Sequence, residues 1–241
     1  MEDLKSAYNQ WHKEVGAGES NSELQLCQWH KDAFAAFDKV QQQKVLEVGC
    51  GRGDFSLFLS GKGAVVHGTD FSDSAIEIAK AKVANNYSNI QFSVADAQQM
   101  PFGDAVFDVI YSCECLEHIP DPQKALNELF RVLKPGGTAV ITTENYSNGM
   151  IILWLKSWIT KQPFNSGSEI QPIENFFLFW KVKRMMRKSG FIVSKITGWH
   201  YVFMILPGNR NWIKEEIKNK TAKTILKPFA RHMTFLLKKN R

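Results

Sequence analysis

The chain has 241 residues, 44% of them apolar and 22% charged, enough for one domain with a full core and too ordinary a composition for a disordered, collagenous or low-complexity protein. Its longest apolar stretch, MIILWL at 150–155, stops at Lys156 and is far too short to cross a bilayer; the polar start MEDLKSAYNQWHKEVG has no apolar leader core, so a cytoplasmic protein is expected. The formal charge of +6 is uneven, with 10 Lys/Arg and 2 Asp/Glu in residues 210–241 against 20 and 22 in residues 1–209, which means a neutral body with a basic tail and disfavours nucleic acid as a partner.

Helices are predicted over 2–15 and 22–38. The second follows the capping-box pattern Ser20–Glu23 and has helical apolar spacing in ELQLCQWHKDAFAAF. Short apolar strands and amphipathic helices then alternate. KVLEVGC (44–50), AVVHGTD (64–70), IQFSVAD (90–96), FDVIYSCE (107–114) and TAVITTE (138–144) read as strands. Helices are expected after GRG to about Ser60, over 72–86, and over 122–133 before KPGG. Strands that are near-continuous apolar blocks, each followed by a helix, form a parallel sheet covered on both faces. The fold is therefore expected to be α/β, doubly wound.

Beyond Glu144 the rhythm changes. A segment rich in Trp, Phe, Leu and Ile (146–172) has no clear strand, a helix is expected over 173–189, and FIVSKIT (191–197) and YVFMIL (201–206) suit a hairpin through Gly198 and Trp199. The tail reads as two amphipathic helices, one with Trp212, Ile213, Ile217 and Ile225, the other with Phe229, Met233 and Leu236 after a break at Pro228. The expected organisation is an N-terminal helical cap (1–43), a main domain (44–206) with an insertion at 146–172, and a basic tail (207–241). Cys27, Cys50, Cys113 and Cys115 are expected to stay reduced. A zinc site from Cys50, Cys113, Cys115 and His118 is disfavoured because C-x-C lacks the usual C-x-x-C spacing.

VLEVGCGRGD places Gly49, Gly51 and Gly53 in the turn after the first sheet strand, where ligands of such sheets bind and backbone must come close to them. Asp70 ends the second strand, at the place where an acid accepts hydrogen bonds from a ribose diol. The spacing is G-x-G-x-G with Glu47 two residues before it, not the G-x-G-x-x-G of dinucleotide enzymes.

In order and spacing, VLEVGCGRGDFS, VHGTDFS, SVADAQQMPF, FDVIYSCECLEHIPDP and LKPGGTAVITT resemble the successive motifs of class I S-adenosylmethionine-dependent methyltransferases, over roughly residues 44–144. The resemblance implies a mostly parallel, seven-stranded Rossmann-like sheet whose last strand is antiparallel. It also implies S-adenosylmethionine as methyl donor and S-adenosylhomocysteine as product. By the same resemblance Glu47, Gly49, Gly51 and Gly53 would shape the methionine end of the pocket, Asp70 would take the ribose hydroxyls, and Phe71 would flank the adenine. Asp96 would bind the adenine amino group with a backbone contact from Ala97, and Ser112 and Cys113 would lie under the methionine. SAYNQWH is similar to a helix that closes over the cofactor, making Tyr8 and Trp11 candidates there, with simple packing the other reading.

CECLEHIP (113–120) would leave the fourth strand beside the transferable methyl. A hydroxyl acceptor must lose its proton, either to a base of near-neutral pKa or through a metal that acidifies it. His118 suits the first role. Glu114, Glu117 and His118 together suit a hard divalent ion such as Mg, and the E-x-x-E-H pattern resembles ubiquinone-pathway O-methyltransferases and small-RNA 2′-O-methyltransferases, where the cluster is completed by a later histidine. The segment NSGSEIQPIENFF has none, leaving Glu169, Gln171 or distant His200. Metal site, metal-free base and plain pocket lining all stay open.

Met150, Ile151, Leu153, Trp154, Leu155, Trp158 and Phe164 suit either a lid over a small lipophilic or aromatic acceptor or packing on the sheet. The basic tail suits an anionic membrane surface, a helix docked on the domain, or RNA phosphates. The favoured function is O-methylation of a small lipophilic hydroxyl. The alternatives are C- or N-methylation of a metabolite, 2′-O-methylation of small RNA, and a non-enzymatic cofactor-binding module.

Overall fold

The computed structural model describes residues 2–16, 26–83, 88–147, 151–161, 171–201 and 227–241. Two helices, α1 (Glu2–Gly16) and α2 (Gln28–Ala36), precede the sheet. Then follow β1 (Lys44–Val48), α3 (Asp54–Gly61), β2 (Val65–Asp70), α4 (Asp73–Val83), β3 (Ile90–Val94), β4 (Phe107–Cys113), a 3-10 turn (Leu116–His118), α5 (Pro122–Val132) and β5 (Leu133–Glu144). The last third contributes α6 (Ile151–Thr160), α7 (Phe179–Lys188), β6 (Ile192–Tyr201), a 3-10 turn (Lys227–Phe229) and β7 (Ala230–Lys238).

The seven strands lie in the order β3-β2-β1-β4-β5-β7-β6. β1 pairs in parallel with β2 and β4, β2 with β3 and β4 with β5, while β7 runs antiparallel to both β5 and β6. The order reverses at β1 and β4. Their carboxyl ends diverge there and open the crevice in which ligands of such sheets bind.

Alternation along each strand divides the core into two layers. Leu46, Ile110, Ala139 and Phe235 face α5 and α7, packing with Leu126, Leu129, Val182 and Met186. Val45, Tyr111 and Val140 face the other way, onto Ala33, Phe55, Leu59 and Ile76. The fully buried Tyr111 ring is tied to the cap by its hydroxyl, which donates to Phe37 O. Asp121 starts α5 by accepting from Lys124 N at 3.0 Å, with Pro122 in the first turn.

Several expectations change. β5 begins at Leu133, earlier than predicted, because Leu133 pairs with Phe107 before a register shift restores the ladder at Thr138. α2 starts at Gln28, and the capping-box residues 20–23 lie outside the described residues. α7 starts only at Phe179, since residues 173–178 form no regular element and Leu178, extended, caps the helix. The turn expected at Gly198 and Trp199 does not form: residues 192–201 are one strand paired with β7, with a register shift between Val193 and Lys195, and residues 202–206 lie outside the described residues. The second tail helix is also absent. Residues 230–238 are β7, the strand wedged between β5 and β6, so the domain does not end at 206 and the tail is not a separate unit. The first tail segment, including Trp212 to Ile225, lies outside the described residues. No described helix is long and apolar enough to cross a membrane.

Candidate active site

A cavity of about 670 Å³ opens at the carboxyl ends of β1, β2, β4 and β5, large enough for a nucleoside cofactor and a small acceptor together. Its first half is built on the glycine loop. Gly49 N and Cys50 N both donate to Thr69 O, at 2.8 and 2.9 Å, which folds the loop back over β2. Gly49 has φ +73°, and a Cβ there would overlap Cys115 Sγ and lie 2.7 Å from Cys115 Cβ. At Gly51 a Cβ would meet only His12 Cε1, at 3.8 Å, so this backbone faces open space. Asp70 is held by two amides: Gly51 N donates to Oδ2 and Ser72 N to Oδ1, each at 2.9 Å. Phe71, Asp96 and Ala97 continue this wall.

Helix α1 roofs the same half. Tyr8, Trp11 and His12 line the cavity. Tyr8 donates to His118 O at 3.1 Å and sets its ring edge-on to Phe71. Lys5 pairs with Asp73 and Asn9 bonds Ser72, pinning the helix to the start of α4. His12, missed by the sequence reading, is buried with Nε2 3.9 Å from Asp70 Oδ1. Burial lowers its pKa, opposed by the Asp70 charge.

The second half is acidic and aromatic. Glu114 leaves β4 at φ +46°, an unfavourable conformation for a non-glycine residue. It is fixed by Glu114 N donating to Thr142 O and Oγ1 at 3.1 and 3.0 Å. Glu114 Oε2 lies 3.2 Å from Nδ1 of His232, on β7, with both side chains about nine-tenths buried. Its Oε1 is buried without a hydrogen-bond partner. The His232 ring stacks on Trp199 of β6 at 4.4 Å and 13°, and lies at 6.4 Å and 18° to Trp29 of α2. Burial, followed by the Glu144 charge, pushes Glu114 up to about 8. Burial lowers His232.

Glu144 closes the wall. Its Oε1 takes Arg231 Nη2 at 3.1 Å and its Oε2 takes the Tyr146 hydroxyl at 2.7 Å. The same hydroxyl also reaches Glu174 Oε1, and one phenol has only one proton to give. Four carboxyl groups therefore share this end of the cavity with one guanidinium: Glu114, Glu117, Glu144 and Glu174 against Arg231.

Residues 46–141 match the family model described as "Methyltransferase domain". Among curated proteins, the chain is 33% identical over 141 residues to a demethylmenaquinone methyltransferase of Clavibacter sepedonicus, covering 58% of this chain and 55% of that protein. It is 39% identical over 106 residues to a ubiquinone biosynthesis O-methyltransferase of Coxiella burnetii, covering 44% and 45%. Among solved structures, an S-adenosylmethionine-dependent methyltransferase from Mesorhizobium loti superposes with a TM-score of 0.63 at 16% identity, covering 87% of this chain and 96% of that one. Residues 46–141 form a class I methyltransferase domain. The chain spans about half the length of the curated relatives it matches.

The residues singled out from sequence separate into two groups around the cavity. Tyr8, Trp11, Gly49, Gly51, Asp70, Phe71, Asp96, Ala97, Cys113, Glu114, Glu117 and His118 all reach the cavity. Glu47, Gly53 and Ser112 are not among the residues that line it. Glu47 points behind the loop, fully buried, where Ser56 Oγ donates to it, and burial pushes it up to about 8. Gly53 caps α3 at φ +81°, and a Cβ there would press on Phe92 Cζ at 2.7 Å, so its role is helix–sheet packing. Ser112 is buried in β4 between Val48 and Ile141.

Glu114, Glu117 and His118 are not brought together as a ligand set. Glu117 is buried and engaged: Thr143 Oγ1 donates to Oε2 at 2.8 Å and Glu144 N to Oε1 at 3.3 Å. His118 Nδ1 donates to Ile173 O at 2.7 Å. Burial, then the neighbouring Glu114, raises Glu117 to about 8. Among the described residues the donors that do gather, within 4.8 Å of one another, are Glu114, Glu144 and His232. There both Glu144 oxygens already serve Arg231 and Tyr146. The predicted trio therefore does not fit a divalent ion. Gln171 reaches the cavity, whereas Glu169 lies outside the described residues.

Proposed function

We propose that the chain is an enzyme that methylates a hydroxyl group of a small lipophilic or aromatic acceptor, with S-adenosylmethionine as donor. The observation that carries this reading is the buried Glu114–His232 pair at the far end of the cavity, with Glu114 Oε1 left without a partner. Gly49 and Gly51 let the backbone approach the methionine end of the cofactor. The remaining lone pairs of Asp70 take the ribose diol, Phe71 lies against the adenine, and Asp96 with Ala97 reads its edge. Tyr8, Trp11 and His12 hold α1 over the cofactor and exclude water.

When bound, S-adenosylmethionine supplies a sulfonium methyl whose C–S bond breaks as the acceptor oxygen attacks, leaving the electron pair on sulfur. Glu114 Oε1 takes the hydroxyl proton as that bond forms. Its raised pKa makes it a stronger base than an ordinary carboxylate, closer to a phenol. His232 Nδ1 holds the other oxygen, and the two indole planes fix the imidazole. Trp29, Trp199 and Tyr146 offer flat apolar surface to an aromatic acceptor.

The test is turnover on a panel of phenols and hydroquinones, with mass fragmentation of the products. Ether-type loss of the transferred methyl supports the reading. Methyl placed on ring carbon, or product formed as fast by Glu114→Gln, would sink it.

A further inference from the structure

Two helices leave the acceptor end of the cavity with outward faces that nothing among the described residues covers. On α6, Leu155, Trp158 and Ile159 are 43%, 72% and 72% exposed. Spaced i, i+3, i+4, they make one apolar stripe pointing at solvent. A surface helix of a water-soluble protein normally turns such a stripe inward. On α7 the inward face is occupied by Phe179, Val182 and Met186. The outward face carries Trp180, Arg184, Arg187 and Lys188, at i, i+4, i+7 and i+8, all exposed, with Lys181 beside them.

Neither helix contains an acid: residues 151–161 and 179–188 together hold seven Lys/Arg and no Asp/Glu. The ammonium groups of Lys181 and Lys183 lie over the rings of Phe177 and Phe179, at 5.8 and 5.7 Å from the centroids, so cation and aromatic surface are interleaved at the start of α7. The two helices also start from one corner. Ser147 Oγ accepts from Phe179 N at 3.1 Å, and Tyr146 N donates to Phe177 O at 2.8 Å. α6 thus begins four residues after the point that anchors the start of α7, and Tyr146 itself lines the cavity.

We infer that α6 and α7 form a docking surface for an anionic lipid bilayer at the mouth of the acceptor site. Leu155, Trp158, Ile159 and Trp180 enter the headgroup–acyl boundary, where indole is preferred. The cations of α7 meet the anionic headgroups. A folded partner protein would need carboxylates set against five cations and a pocket for each indole, whereas a lipid surface supplies charge and apolar depth without fixed register. The inference rests on the proposed function only for its benefit, since a lipophilic acceptor dissolved in the bilayer would meet the cavity mouth directly.

The experiment is co-sedimentation of the full chain with extruded vesicles of phosphatidylcholine alone or of equal parts phosphatidylcholine and phosphatidylglycerol, without cofactor or acceptor. Binding to the anionic vesicles alone, weakening with salt, is expected. Arg184→Glu/Arg187→Glu/Lys188→Glu should lower partitioning more than ~100-fold, at roughly fivefold for each basic charge lost. Trp158→Ser/Ile159→Ser should lower it by a smaller factor that is insensitive to salt. Thermal melts of both variants report whether they fold. Absence of binding to anionic vesicles overturns the inference. So does binding that both folded variants retain, which would move it to another basic segment. A dimer abolished by Trp158→Ser/Ile159→Ser, or capture of RNA in place of vesicles, overturns it too. Turnover of a soluble phenol without vesicle binding would defeat the docking surface alone, and vesicle binding without turnover would defeat the acceptor reading alone.

Discussion

Gly49→Ala separates two requirements of the cofactor loop. At φ +73° an L side chain costs ~1–2 kcal/mol. The new methyl would overlap Cys115 Sγ and approach its Cβ at 2.7 Å, an overpacking cost of ~1–3 kcal/mol. The loop cannot retreat cheaply, because Gly49 N and Cys50 N are both committed to Thr69 O. We expect urea denaturation to show a loss of ~2–5 kcal/mol in all, with weaker binding of S-adenosylmethionine by calorimetry. Cys115→Ala would not relieve the clash, since the Cβ remains. Cys115→Gly would, leaving only Cα at 3.9 Å. In the Cys115→Gly background Gly49→Ala should therefore cost less by the overpacking share, while the backbone share persists. An equal cost in both backgrounds, or no cost in either, would refute the loop geometry.

The acceptor end makes sharper demands on rate than on stability. His232→Ala should lower kcat by ~10²–10⁴-fold and leave the dissociation constant of S-adenosylmethionine within a few fold, as measured by single turnover and calorimetry. Because Glu114 is raised to about 8 and must be ionised to accept a proton, kcat/KM should climb with pH and level off above that value; Glu114→Gln should flatten the climb. EDTA should leave turnover intact, given that Glu114, Glu117 and His118 are not brought together as a ligand set. Loss that Mg restores would return the trio to metal binding. Glu47, raised from 4.5 to about 8 by burial, favours the protonated fold. Its contribution is full below pH 4.5 and is lost as pH rises to about 8, at ~1.4 kcal/mol per pH unit. In denaturation midpoints, Glu47→Gln should remove one proton's worth of that slope.

The main sheet was legible because its strands are short apolar blocks, such as KVLEV and FDVIYSC, most of them followed by a helix with its own start and stop signals. The seventh strand was not. In ARHMTFLLK, Met233 and Leu236 fit a helical face after Phe229, but Met233, Phe235 and Leu237 also alternate, and it is this alternation that the sheet uses. Both periods fit so short a run, and only the vacancy between β5 and β6 decides between them. With the strand went its histidine. The histidine that faces Glu114 stands on β7, 118 residues away, and no local spacing could have indicated it. The strand-end acids Asp70 and Asp96 were readable because topology alone puts them at the crevice. The roles of Glu47 and Glu117 were not, since their hydrogen bonds to Ser56 and Thr143 exist only after folding.

The most direct test of the proposed chemistry follows labelled methyl from S-adenosylmethionine into an extract of the source organism, using the parent chain and His232→Ala in parallel. We expect label in an organic-soluble O-methyl ether, with the variant slower by at least ~100-fold. Label confined to aqueous or RNA fractions, or organic label formed equally fast by both chains, would contradict a hydroxyl acceptor deprotonated at the Glu114–His232 pair.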